Sequence, residues 1–99
     1  MTHEEFELYK TRIIKIIEIF FPSAKIYLFG SRARGDYDDR SDFDIAINAN
    51  QKIALSIRGQ IKSMIDVLNI PQYVDVIDFH TVSQEMKDSI TKEGIAWKD

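Results

Sequence analysis

Phe29-Gly-Ser-Arg-Ala-Arg-Gly-Asp36, followed a short polar stretch later by Ser41-Asp-Phe-Asp-Ile-Ala-Ile-Asn48, is the part of the sequence whose reading decides the fold. Upstream of it, Lys25-Ile-Tyr-Leu-Phe29 is a β-branched and aromatic run closed by Gly30, which predicts a strand ending in a tight turn. Downstream, Asp42 to Asn48 alternates so that Phe43, Ile45 and Ile47 share one face of a second strand and Asp42, Asp44 and Ala46 share the other. Between them, residues 31–41 are polar and carry Gly35 and a run of charges, the pattern of an exposed loop that opens with one helical turn.

Working outward, Phe6, Tyr9, Ile13, Ile16, Ile17 and Phe20 recur every three or four residues, so a helix is expected over 3–20, stopping before Pro22. On the other side, Ile53, Ile57, Ile61, Met64, Ile65 and Leu68 form one stripe of a helix over 51–68, despite Gly59, and Asn69-Ile-Pro71 ends it. Tyr73 to Asp78 reads as a third strand. Either Thr81 or Ser83 can cap a last helix, which runs to Glu93 and stops at Gly94. Ile95-Ala-Trp97 adds a final edge strand. The order helix, strand, loop, strand, helix, strand, helix predicts a single α/β (α+β) domain over 1–99, with a small mixed sheet of three to four strands flanked by helices.

Composition bounds the function classes. The chain has 99 residues, with 13 basic against 16 acidic side chains, a net charge of −3 and no cysteine. Disulfide frameworks, Cys-ligated zinc, thiol catalysis and iron–sulfur chemistry are therefore excluded. The mild acidity gives no long-range pull on a nucleic-acid backbone, so direct nucleic-acid binding is not expected. Met1-Thr-His-Glu-Glu5 is acidic where a signal peptide is basic, and no apolar run reaches the ~18–20 residues of a bilayer span. A soluble, cytoplasmic protein with no membrane role is the expectation.

The acidic face of the second strand is where chemistry enters. Asp is disfavoured in strands, yet Asp42 and Asp44 stand two apart on one face, with Cα atoms ~6.6–6.8 Å apart. Two carboxylates ~4 Å apart at an effective dielectric of ~20 repel by about 4 kcal/mol, which a divalent cation between them relieves. Hard oxygen ligands of this kind suit Mg²⁺. Gly30 lets a backbone approach a phosphate closely, and Ser31 adds a hydroxyl beside it. Arg32 and Arg34 follow at once, and guanidiniums there can neutralise phosphate charge.

Together, Gly30-Ser-Arg-Ala-Arg-Gly-Asp36 and Ser41-Asp-Phe-Asp-Ile45 resemble the signature of the minimal nucleotidyltransferase (MNT) domains of the DNA polymerase β superfamily. Ten residues separate Ser31 from Asp42, and Ala33-Arg34-Gly35 is similar to the prokaryotic minimal branch in particular. The resemblance covers nearly the whole chain and implies a polymerase β-like palm core. It implies two Mg²⁺ ions held by Asp42 and Asp44, ATP as substrate, its phosphates on Gly30 and Ser31, and Arg34 as a further phosphate contact. A third carboxylate on a neighbouring strand would complete the site, with Asp75 and Asp78 the candidates. Parity selects Asp75, because with Val74 and Val76 packed inward it points to the open face, while Asp78 points the other way.

The resemblance further implies an antitoxin that transfers AMP to a hydroxyl, commonly of tyrosine, on a helical HEPN ribonuclease toxin. Two alternatives stand beside it: a catalytically silent module that masks the toxin, and nucleotidyl transfer to a small molecule. Ile90, Ile95 and Trp97 serve either core packing or a homodimer or hetero-oligomer surface. Other signals fall away. Arg34-Gly35-Asp36 lacks the extracellular context of an adhesion tripeptide, and a calcium loop counted from Asp36 has Ser41 where glycine belongs and Ile47 where glutamate belongs. His3 and His80 are isolated.

Overall fold

The structure is a computed structural model that describes all residues, Met1–Asp99. Its elements are α1 (His3–Phe20), β1 (Lys25–Phe29), the single turn α2 (Ser31–Arg34), β2 (Phe43–Asn48), α3 (Leu55–Asp66), β3 (Val74–Asp78), a 3₁₀ turn (Phe79–Thr81), α4 (Gln84–Glu93) and β4 (Ile95–Lys98). Thr2 and Glu5 cap α1 reciprocally, each side chain bonding the other's backbone N–H, and Ser83 caps α4 through the Met86 amide.

The strands form one mixed sheet in the order β3-β2-β1-β4. β1 runs antiparallel to both β2 and β4, and β2 runs parallel to β3 through the crossover helix α3. One face of the sheet is sealed by α1 and α3. Ile13, Ile16 and Ile17 of α1 and Ile61 and Ile65 of α3 meet Ile26, Leu28, Phe43, Ile45, Ile47, Val74 and Val76 in a single apolar cluster. The alternation read from the sequence is thus the alternation between this core and the opposite face. There, Tyr27 pairs its ring with Phe79 at 6.0 Å, and α4 lies against β1 with Ile90 buried outside the main cluster.

Several expectations need correction. The helix expected over 51–68 covers only Leu55–Asp66, because Asn50 takes a left-handed turn (φ 59°) and Ala54 is extended. Ile53 lies in that connection, still buried, with its N–H donated to Asp78 Oδ2 at 2.8 Å. Met64 is exposed, since Ile61 and Ile65 already occupy the line of contact with the sheet. Of the apolar trio at the C-terminal end, Ile90 is buried, Trp97 packs edge-on against Phe6 at 6.1 Å, and Ile95 alone is exposed. Gly59 stands inside α3, where a methyl group would touch nothing. Glycine there costs the helix about 1 kcal/mol relative to alanine, and no internal contact requires it.

Asp78 is a structural acid. It is 1% exposed and accepts the N–H groups of Ile53 and His80, tying the connection before α3 to the end of β3. Asp78→Ala leaves these amides unpaired and is expected to cost about 2–4 kcal/mol in urea unfolding. A loss below about 0.5 kcal/mol would show that water replaces the carboxylate freely.

Candidate active site

The site forms where β1 ends beside the middle of the sheet. Register pairs Phe29 with Asp44, so the turn that follows β1 is laid against the acidic residue of β2. Gly30 has φ 73° and ψ −155°, and a Cβ on it would fall 2.3 Å from Asp44 Oδ2. Backbone conformation and space both demand glycine at this position. Ser31 opens α2, and Gly35 closes it in the left-handed conformation.

Asp44 and Asp75 face each other across the parallel pair β2 and β3, and Asp42 stands just before β2. Val74 and Val76 are buried in the core, which leaves Asp75 half-buried on the open face, as parity predicts. The Asp44 carboxyl is held above the ordinary Asp range by its partial burial first, then by the charges of Asp75 and Asp42, with Arg34 opposing them. Asp42, Asp44 and Ser31 share an open basin of about 440 Å³ with Asp38, Arg40 and Ser41, and no apolar side chain lines it. Asp75 opens instead into a neighbouring groove of about 390 Å³ between α3 and β3. The pair of opposed acids therefore forms a ridge with a depression on either side.

The two arginines part company. Arg34 is half-exposed, with Nε 3.5 Å from Asp36, and lies close enough to Asp44 to favour its ionised form. Arg32 is 9% exposed, and its guanidinium sits 4.2 Å from the ring centre of Phe43 and 4.9 Å from that of Tyr37. It donates from Nε to the Ser41 carbonyl at 3.0 Å and from Nη2 toward the carbonyls of Asp38 and Asp39. Arg32 therefore fastens the loop that delivers Asp42 and is no phosphate ligand. Gln72 adds a second tether, donating to the Asp39 carbonyl at 2.7 Å. Sequence spacing put both arginines beside a phosphate; the aromatic residues on either side of the loop were the signal that one was spoken for.

The chemistry of the donor set can be tested against a metal. No three acids or histidines come close enough to enclose an ion by themselves. What is present is a pair of carboxylates in mutual repulsion, a third nearby and a serine hydroxyl, all hard oxygen donors. That set fits Mg²⁺, which takes few protein ligands and completes its shell with water and phosphate oxygens.

Comparisons with known proteins identify the family and the fold. The family model described as polymerase beta, nucleotidyltransferase matches residues 11–97. A Haemophilus influenzae protein named probable protein adenylyltransferase MntA is 29% identical over 89 residues, spanning 90% of this chain and 75% of its own length. A chain in a crystal structure of a toxin–antitoxin with AMP-PNP superposes with a TM-score of 0.76 at 26% identity, covering 90% of this chain and 72% of that one. The fold is shared too with a chain from a complex of tri-AMPylated Shewanella oneidensis HEPN toxin with MNT antitoxin, at a TM-score of 0.72, 24% identity and coverage of 93% and 71%.

The raised Asp44 carboxyl gives a stability prediction with a definite sign. It binds more protons folded than unfolded between its ordinary and raised values, so stability falls as pH rises through that window, and the penalty is complete at neutral pH. Asp44→Asn is expected to melt a few degrees above the parent at pH 7 and to lose that advantage below an ordinary Asp value of about 3.9. An equal or lower melting temperature at pH 7 would contradict the repulsion.

Proposed function

The chain belongs to the polymerase β nucleotidyltransferase family and is a nucleotidyltransferase, and from that premise we propose that it transfers AMP from ATP to a hydroxyl, most simply a tyrosine, of a helical HEPN-type toxin. The observation that carries this reading is the Asp44–Asp75 opposition set beside the Gly30 turn. It is supported by the relatives: one is named a probable protein adenylyltransferase, and another comes from a crystal structure of a toxin–antitoxin with AMP-PNP. Both partners then act in the cytoplasm, where ATP is available.

In this reading Gly30 and Ser31 receive the β- and γ-phosphates of ATP, the glycine by giving its backbone close approach and the serine through its hydroxyl. Arg34, free to leave Asp36, reaches the same phosphates. Asp42, Asp44 and Asp75 would hold Mg²⁺, which when bound supplies charge neutralisation at the attacking and leaving oxygens. Asp75 orients the acceptor hydroxyl from the side away from the turn. The hydroxyl oxygen bonds to the α-phosphorus, the bond from that phosphorus to pyrophosphate breaks, and the hydroxyl proton passes to solvent by way of the Asp75 carboxylate. The chain itself need only position and neutralise.

Intact mass of the helical partner, after incubation with this chain, ATP and Mg²⁺, tests the reading. A gain in whole AMP units is expected, absent with Asp42→Asn/Asp44→Asn. Asp75→Asn should cut the rate about a hundredfold or more, whereas Asp78→Asn should retain transfer. A stable complex with no mass gain would replace the enzyme by a masking module, and equal loss in the Asp75 and Asp78 variants would remove Asp75 from its role.

A further inference from the structure

The basin that holds Asp42 and Asp44 contains one cation. Ser31 enters it from the turn after β1, Asp38, Arg40 and Ser41 from the loop before β2, and Asp42 with Asp44 from β2 and its approach. Arg34, beside the same turn, is drawn to Asp36 and does not line the basin. Arg40 does line it, and no step of the transfer described above uses this residue.

Arg40 stands in sequence among Asp36, Asp38, Asp39, Asp42 and Asp44, yet its side chain pairs with none of them. Its neighbours are committed elsewhere. Asp38 turns its carboxylate to the backbone, where Oδ1 accepts the Arg40 N–H at 2.8 Å. The Asp38 N–H is donated to Ser41 Oγ at 3.0 Å, and the Ser41 N–H returns to the Asp38 carbonyl at 3.1 Å, which closes residues 38–41 into a tight turn. Two side chains fasten that turn from outside: Arg32 Nε donates to the Ser41 carbonyl at 3.0 Å, and Gln72 donates to the Asp39 carbonyl at 2.7 Å. The Arg40 backbone is thus fixed at the basin, while its exposed guanidinium has neither an acidic partner nor an aromatic ring beneath it. An exposed pair with a single carboxylate gains little once the side chain is ordered. A diphosphate group offers several charged oxygens in the geometry of the guanidinium fork, and that gain is larger.

We propose that Arg40 is a nucleotide-binding residue that grips the β- and γ-phosphates of the donor from the loop side of the basin. The proposal rests on the reading of ATP as donor and adds to it a contact that selects a triphosphate over a monophosphate. When the bond between the α-phosphorus and the bridging oxygen breaks, its electron pair stays with pyrophosphate, so the same guanidinium neutralises the leaving group.

Isothermal titration calorimetry of the free chain with AMP-PNP, ADP and AMP in Mg²⁺ tests the contact without partner or turnover. Arg40→Gln is expected to weaken AMP-PNP about ten- to hundredfold, ADP by less and AMP not at all, and Arg40→Lys to recover part of the loss. Arg12→Gln removes the same charge from the exposed face of α1 and should leave all three affinities unchanged. Arg40→Gln should melt with the parent, since its side chain holds nothing in the fold. Equal weakening of all three nucleotides, undiminished binding of AMP-PNP, or a parent that binds no AMP-PNP would overturn the proposal. In the transfer assay Arg40→Gln should raise KM for ATP, and a variant unimpaired at limiting ATP would overturn the contact while leaving the enzymatic reading in place. A parent that binds AMP-PNP through Arg40 yet transfers no AMP would uphold the contact and remove the enzymatic reading.

Discussion

Like charges held face to face on adjacent strands are the feature on which the rest of this molecule turns. Asp44 and Asp75 occupy paired positions of β2 and β3, with Asp42 close by, and partial burial makes the repulsion worse. The acids cannot relax apart because each alternates with core residues: Phe43 and Ile45 around one, Val74 and Val76 around the other. A register slip of one residue would bury a carboxylate and expose isoleucine and valine. Hydrophobic burial on one face of the sheet thus holds an unfavourable electrostatic arrangement on the other. A site strained in this way suits the cation and the phosphates of the reaction proposed above.

The neighbouring features make sense as supports for that arrangement. Gly30 is the residue that lets the turn after β1 and the Asp44 carboxyl share one place. Arg32, stacked between Phe43 and Tyr37, converts a highly charged loop into a fixed approach to Asp42. Asp78, two residues on the core side of the parity divide from Val76, fastens the entry to α3 and so the far wall of the β3 groove. Arg32 and Asp78 therefore act on geometry, while the substrate contacts proposed above fall to other residues.

Much of this was legible in the sequence, for identifiable reasons. Period-two alternation in residues 42–48 and 74–78 was strong enough to give the strands, their faces and the choice of Asp75 over Asp78. Gly30-Ser31 and the spacing to Asp42 marked the place in the fold where the candidate site lies. What stayed hidden depends on contacts between segments distant in sequence. The start of α3 could not be read because Ile53 looks like one more helical apolar residue, and its anchoring by Asp78 is a tertiary bond. Arg32 and Arg34 differ only in which way a single helical turn points them.

The most direct measurement is a carbon-detected NMR titration of the Asp44 side-chain carboxyl, with and without Mg²⁺ and in Asp75→Asn. Opposed carboxylates awaiting a cation require a midpoint above the ordinary Asp value that falls when Mg²⁺ is added, and falls also when Asp75 is neutralised. A midpoint at the ordinary value, unmoved by Mg²⁺ and by loss of the Asp75 charge, would mean that the two acids do not confront each other and that the site is not built as described.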